Sequence, residues 1–364
     1  MILSVIIPYW NGEHWIATCL DSLLRQDLSA DDYEIIVVDD GSTHSIDTLN
    51  SYVNAYPQIH YLHQENQKHA AARNYGLTIA RGDYVLFCDC DDFVADHVLG
   101  RLCEIAQEEM GDVLLFNVCS IQEGETITAP KRDFDNRSSF ESGLAYMSQP
   151  PYHFQDGVWR FLIRRSFMEK THLRFATEMI NREEFLFFLQ MMLSAGKVIK
   201  VDADVYYYVQ HPTSWVYSTG MVNHSHGFIN CMVTYLTYLH QTRLELTASK
   251  HVSTGLLKAM RHGEAEDAYA ILHKALRYST ISYNKKVIRE LKDLGFYPIQ
   301  QRVHKYDFLR QLMNIYPLWV ILCCCYHLLP QSLVKCLVKI LRKKDKSCCS
   351  LFFGDYKGIY LQRV

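Results

Sequence analysis

Tyr84-Val85-Leu86-Phe87-Cys88-Asp89-Cys90-Asp91-Asp92 runs from five apolar residues straight into acid. The apolar half reads as a strand buried on both faces. Side chains alternate along a strand, so continuing the pattern sends Asp89 and Asp91 one way and Cys90 the other. Two carboxylates on one side, at the mouth of a buried strand, are hard oxygen ligands for Mg2+ or Mn2+. Such an ion keeps open positions for phosphate oxygens, so the spot reads as a place to hold a nucleotide diphosphate. The plain alternative is an acidic turn after a strand. A lone Asp-x-Asp does not separate the two; its neighbours do.

Working outward, strand and helix signals alternate over the first 120 residues. Leu3-Ser4-Val5-Ile6-Ile7 is a β-branched run stopped by Pro8. A helix is expected from about Ile16 to Leu24, with Leu20, Leu23 and Leu24 on one face. Tyr33 to Val38 is a second strand, ending in Asp39-Asp40-Gly41-Ser42. A helix from Ile46 to Tyr56, a strand from Ile59 to His63 and an alanine-rich helix from Ala70 to Ala80 lead to the strand at Tyr84. A helix from Val98 to Met110 and a strand from Val113 to Val118 follow. This alternation predicts an α/β fold, a mostly parallel sheet with helices on both faces. Ligands of such sheets bind beyond the carboxyl ends of the strands. Three polar clusters sit there: Pro8 to Asn11, Asp39 to Ser42, and Asp89 to Asp92.

The rest of the chain divides less sharply. Gly124 to Pro151 is polar and reads as a loop-rich excursion, and Val158 to Tyr208 returns to strands and helices. Beyond Trp215 the pattern is helical, with candidates at His226 to Arg243, Val252 to His262 and Ala265 to Tyr278. The expected organisation is a domain over 1–215, with halves at 1–120 and 121–215, and a helical region over 216–364. Near the end, Ile315 to Leu329 is apolar but broken by Pro317 and His327, and is stopped by Pro330. Leu333, Val334, Leu337, Val338 and Leu341 then share one helix face, with Lys335, Lys339, Arg342 and Lys343 on the other. A basic amphipathic helix beside a Trp-bearing apolar stretch, about 310–346, suits the surface of an anionic membrane. The competing expectation is a helix packed on the protein's own core with its lysines in water.

Bulk properties narrow the classes. A length of 364 residues favours two domains, and 49% apolar residues exclude wholesale disorder. A net charge of −3 argues against a nucleic-acid-coating protein. The 12 cysteines include no Cys-x-x-Cys pair, so a zinc cluster is not expected and reduced, intracellular thiols are. The N-terminus enters a strand directly, so no secretion signal is expected.

Ser4-Val5-Ile6-Ile7-Pro8-Tyr9-Trp10-Asn11, Ile35-Ile36-Val37-Val38-Asp39-Asp40-Gly41-Ser42, Ala72-Arg73-Asn74-x-Gly76, and Gly82-Asp83-Tyr84 leading to Asp89-x-Asp91-Asp92 resemble, in order and spacing, the family 2 glycosyltransferases of GT-A fold. The resemblance covers roughly residues 1 to 215. Val158-Trp159-Arg160, the acidic pair Glu183-Glu184 and Tyr206-Tyr207-Tyr208 before His211 look like the acceptor half of bacterial members.

The resemblance implies roles. Pro8, Tyr9 and Asn11 line the pocket for base and ribose. Asp39 and Asp40 follow the second strand and accept from a uracil N–H or a ribose hydroxyl, with Asp40 favoured; helix capping is the alternative for one of them. Arg73, one turn after His69, reaches base or phosphate oxygens. Asp91 is the direct ligand of Mg2+ or Mn2+, and Asp89 contacts ribose or the metal. Glu184 is the base for the acceptor hydroxyl, with Glu183 as its alternate. His211 lies near the diphosphate. The implied enzyme inverts the anomeric carbon while moving a hexose from a nucleotide-sugar, a UDP-sugar, to a glycan or lipid-linked acceptor in surface polysaccharide or lipopolysaccharide synthesis. Its expected location is cytoplasmic, peripheral at the inner face of the membrane.

Two other readings stay open. A sugar nucleotidyltransferase needs a basic, Gly-rich loop after the first strand, where this chain has Tyr9-Trp10-Asn11-Gly12-Glu13. A non-catalytic scaffold that binds nucleotide-sugar or glycan would not need both Asp91 and Glu184.

Overall fold

The computed structural model describes residues 1–125, 127, 130–154, 157–211, 226–249, 252–278, 280–299 and 314. The chain divides into two compact units, Met1–Ser218 and Thr219–Val364. In the first, β1 (Leu3–Tyr9), β2 (Tyr33–Asp39), β3 (Ile59–His63) and β4 (Tyr84–Phe87) lie side by side in the order β3-β2-β1-β4, all parallel. Every residue of β2 and β4 is buried, because helices cover both faces. Those helices are α1 (Ile16–Leu24), α2 (Asp47–Ala55), α3 (Lys68–Ile79) and α4 (Leu99–Glu108). The alanines and Gly76 let α3 settle closely on β1: a Cβ at Gly76 would come within 2.5 Å of Ile6 Cγ2.

Beyond β4 the direction changes. β6 (Val113–Gln122) is separated from β4 by β8 (Phe161–Arg164), which is antiparallel to both. β9 (Val198–Gln210) pairs in parallel with β6, and its outer edge takes β5 (Phe93–Val94) and β7 (Arg132–Phe140), both antiparallel. The region read as a loop-rich excursion therefore contains β7 and a short helix, α5 (Gly143–Met147). β7 is an edge strand with seven of nine residues exposed, so it carries no apolar alternation to reveal it. A short 3-10 turn (Val158–Arg160), α6 (Arg165–Lys170) and α7 (Glu183–Ser194) complete the unit.

The second unit contains α8 (His226–Ser249), α9 (Thr254–Tyr278) and α10 (Ile281–Asp293). The two helices expected at Val252 to His262 and Ala265 to Tyr278 are one, α9. Gly263 is buried within it, and the next residue, the buried Glu264, accepts a 2.6 Å hydrogen bond from Arg243 Nε of α8. Tertiary packing here overrides the helix-weakening effect of glycine. The amphipathic tail at about 310–346 lies outside the described residues except for Asn314. Among the described residues no helix is long and apolar enough to cross a membrane.

Candidate active site

The carboxyl edge of β1, β2 and β4 gathers the predicted residues. Pro8 is level with Val38, and Tyr9 with Asp39. Asn11 stitches the two loops: its N–H donates to Ser42 Oγ at 2.9 Å, and its Oδ1 accepts from Thr43 N–H at 2.8 Å and His44 N–H at 3.1 Å. Its φ of 50° is one of the left-handed values that cluster at this edge, with Lys68 at 74° and Arg182 at 65°. Such values are uncommon in non-glycine residues and persist where the surroundings fix them.

Both aspartates after β2 work within the loop. Asp39 accepts from Ser42 N–H (2.9 Å) and Tyr61 O–H (2.9 Å) and contacts His63 Nδ1 (3.2 Å). Burial opposes its charge, but these hydrogen bonds outweigh it and hold the carboxyl below the ordinary aspartate range. Asp40 receives Gln67 N–H, Lys68 N–H and Gln64 Nε2, at 2.7–2.8 Å, and so caps the start of α3.

The strand ends at Phe87, before the acidic residues, so alternation does not carry through them. Asp89 to Asp92 is a turn, with Asp92 N–H donating to Asp89 C=O at 3.1 Å. Each carboxylate finds a different partner. Asp89 Oδ1 accepts from Arg73 Nη2 at 2.7 Å. Asp91 Oδ2 meets His211 Nε2 at 3.0 Å, and the His211 ring packs on Trp15 with centroids 4.4 Å apart. Asp92 is buried and accepts from Tyr206 O–H (2.6 Å) and Val209 N–H (2.8 Å). Tyr206 Oη in turn accepts from Asp89 N–H at 3.0 Å. This chain of three bonds fastens the turn to β9. Cys90 packs against Gly12, where a Cβ would lie 2.9 Å from its Sγ.

A second acidic group enters from α7. Arg73 is 2% exposed; its Nη1 lies 2.8 Å from Glu184 Oε1 while its Nη2 holds Asp89. Neither Nη1 nor Nε has a hydrogen-bond partner among the described residues. Glu183 is buried, and its Oε1 is tightly hydrogen-bonded to His69 Nε2. Glu184 keeps 24% of its side chain open to solvent. Burial, countered by Arg73 but reinforced by Asp89 and Glu183, lifts Glu184 above the ordinary glutamate range. Glu183 goes the other way: burial opposes its charge, but His69 and then Arg73 prevail and hold it low.

No group of three or more His, Cys, Asp or Glu side chains among the described residues is arranged to hold an ion alone. The donors nonetheless suit a divalent cation whose sphere a ligand completes. Adjacent ligands around an ion with bonds of about 2.1 Å stand about 3 Å apart, and Asp91 Oδ2 and His211 Nε2 are 3.0 Å apart. Asp89, two residues before Asp91, has its Oδ1 engaged by Arg73 Nη2. Sequence reasoning overlooked Trp15 and the His69 contact, and gave Tyr206 no role of its own. Tyr206 stands in the quoted Tyr-Tyr-Tyr run, whereas no local pattern marks His69.

Residues 4–176 match the family model described as Glycosyl transferase family 2. The chain is 32% identical over 216 residues to the uncharacterized glycosyltransferase EpsJ of Bacillus subtilis, covering 58% of this chain and 62% of that one. It is 31% identical over 218 residues to a poly(ribitol-phosphate) beta-glucosyltransferase of Bacillus spizizenii, covering 58% of this chain and 32% of that one. Less than two thirds of either relative is spanned. The structure of S. aureus TarS 1-349 in complex with UDP-GlcNAc superposes with a TM-score of 0.60 at 19% identity, over 90% of this chain and 92% of that one. At that identity the likeness concerns the fold.

Proposed function

From the match of residues 4–176 to the model of glycosyl transferase family 2, we propose that the chain belongs to that family and is an inverting hexosyltransferase using a UDP-sugar and a glycan or lipid-linked acceptor of surface polymer synthesis. One observation carries the reading: a single buried arginine, Arg73, joins the donor-side turn to the acidic pair, touching Asp89 at 2.7 Å and Glu184 at 2.8 Å. A donor held at Asp89–Asp91 and a base at Glu184 are then neighbours, as displacement at one carbon requires.

The base and ribose take the pocket of Pro8, Tyr9 and Asn11, beside the exposed ring of Trp10. Asp39 and Asp40 shape its wall, and a direct contact from Asp40 needs a lone pair not used in capping α3. Asp91 and His211 would hold a divalent cation, Mg2+ or Mn2+, with Asp89 beside them. Bound there, the cation neutralises charge on the leaving diphosphate. Arg73 orients Asp89 through Nη2 and faces Glu184 through Nη1, which leaves Nε as a donor without a hydrogen-bond partner among the described residues. Glu184 takes the proton of the acceptor hydroxyl as that oxygen bonds to the anomeric carbon and the bond to the diphosphate breaks on the opposite face. A base whose proton affinity is raised draws that proton more strongly, provided it is ionised when the acceptor arrives. Asp91→Ala is expected to abolish UDP release from a sugar donor. Glu184→Gln is expected to leave donor binding intact and slow transfer by roughly 10²–10⁴-fold; transfer at the wild-type rate would remove Glu184 from the role.

The apolar then basic sequence over 315–346 supports peripheral contact with an anionic membrane, which suits a lipid-linked acceptor.

A further inference from the structure

We propose that His69 is a positioning residue that pins Glu183 on α3's side of the site and so commits Glu184, the other member of the acidic pair, to act as the base. This rests on the proposed transfer reaction. The acidic pair alone is ambiguous, because adjacent helix-start glutamates have the same chemistry. Their surroundings separate them. His69 lies in the first turn of α3 and Glu183 is the first residue of α7, 114 residues later. The contact between Nε2 and Oε1 joins the two helices at the site.

The charges explain why a histidine is useful there. Asp89, Glu183 and Glu184 bring three carboxylates around Arg73, whose single positive charge is paired, among the described residues, with Asp89 and Glu184. Glu183 is 4% exposed, and a buried carboxylate without a partner takes up a proton or moves toward the nearest cation. That cation is Arg73, one turn along α3 from His69. His69 supplies the missing positive partner. Burial by itself would depress the imidazole, but the hydrogen bond and charge of Glu183 reverse this and raise His69 above the ordinary histidine range. Other charges bearing on His69 include Arg73 on its own helix and Glu184 on α7, of opposite sign. With Glu183 Oε1 held by His69, Arg73 stays between Asp89 and Glu184, and Glu184 is left the more exposed of the pair.

The test uses the full chain and four variants: His69→Leu, His69→Gln, Glu183→Gln, and the double variant His69→Leu with Glu183→Gln. His69→Leu is expected to lower kcat for transfer by about 10- to 100-fold, with KM for the UDP-sugar within about twofold, as a shifted base would. His69→Gln keeps a donor near Nε2 and is expected to recover most of that loss. The double variant is expected to be several-fold more active than His69→Leu, because it removes the anion that needed a partner. A second readout needs no turnover: imidazole 15N NMR should show His69 titrating above a free histidine in wild type and lower in Glu183→Gln. His69→Leu at the wild-type kcat, no recovery in the double variant, or a His69 titration unmoved by Glu183→Gln would each overturn the proposal. If wild type releases no UDP from any nucleotide-sugar, the transfer reading fails, and the titration still judges the pair.

Discussion

Glu184 and Asp92 illustrate two uses of a carboxyl group within one site. Glu184 is held above the ordinary glutamate range by burial and by Asp89 and Glu183, against the pull of Arg73. A base must be ionised to accept a proton, so activity is lost as pH falls through this raised value. The acid limb of kcat/KM is therefore expected above the free glutamate value of about 4.3. An acid limb at or below that value in steady-state assays would contradict the assignment. Asp92 is buried; it receives Tyr206 and Val209 and thereby sets Asp89. Asp92→Ala would strand a buried hydroxyl and a buried N–H, a cost of roughly 2–4 kcal/mol. Urea unfolding should show it, and an unchanged midpoint would refute the clasp. Asp89, Asp91, Arg73 and the acidic pair were legible in the sequence because each stands in a short ordered motif. The bonds of Asp92 to Tyr206 and of Glu183 to His69 were not, since partners 114 residues apart leave no mark on local spacing.

The elements that carry these residues are fixed by close backbone approaches. At Gly82, between α3 and β4, a Cβ would lie 2.4 Å from the Leu3 carbonyl carbon and the Ser4 nitrogen. These are backbone atoms of β1 and cannot swing away. Gly82→Ala is expected to destabilise by roughly 1–3 kcal/mol, read as a lowered denaturation midpoint; full stability would mean that the β1–β4 ladder gives more easily than the packing implies. The parallel strands and the helices between them were readable because continuous β-branched runs and helical periodicity both reflect burial. β7 was missed because an exposed edge strand owes its conformation to backbone pairing with β9, and β5 because two residues make no pattern. The joint of α3 with α7 has its own pH window. Glu183, with a lowered folded value, contributes stability above the free glutamate range and loses it as pH falls through that lowered value. His69, with a raised folded value, contributes below about 6.5 and loses it as pH rises through its raised value. The melting difference between wild type and His69→Leu should thus be largest between those limits and shrink toward alkaline pH; a difference independent of pH would indicate packing alone.

At the scale of the molecule, the first unit holds every residue assigned to donor, cation and base, and the second contributes a helical core with its own buried Arg243–Glu264 pair. The first unit was largely legible because strand ends, turns and acidic residues recur at one edge. The extent of α9 was not, since a buried glycine looks like a break until its packing is known. The basic stretch around 333–346 predicts that the full chain sediments with vesicles rich in anionic lipid and that a chain ending before it does not; equal recovery would assign the lysines to water. The central claim is that acidic groups at the sheet's edge hold the diphosphate of an activated sugar through a divalent ion. Its most direct measurement is UDP release from a panel of UDP-sugars with Mg2+ or Mn2+ and with chelator, for wild type and Asp91→Ala. The account predicts release that requires both the metal and Asp91. Release by wild type that survives the chelator, or by Asp91→Ala at an undiminished rate, would contradict it.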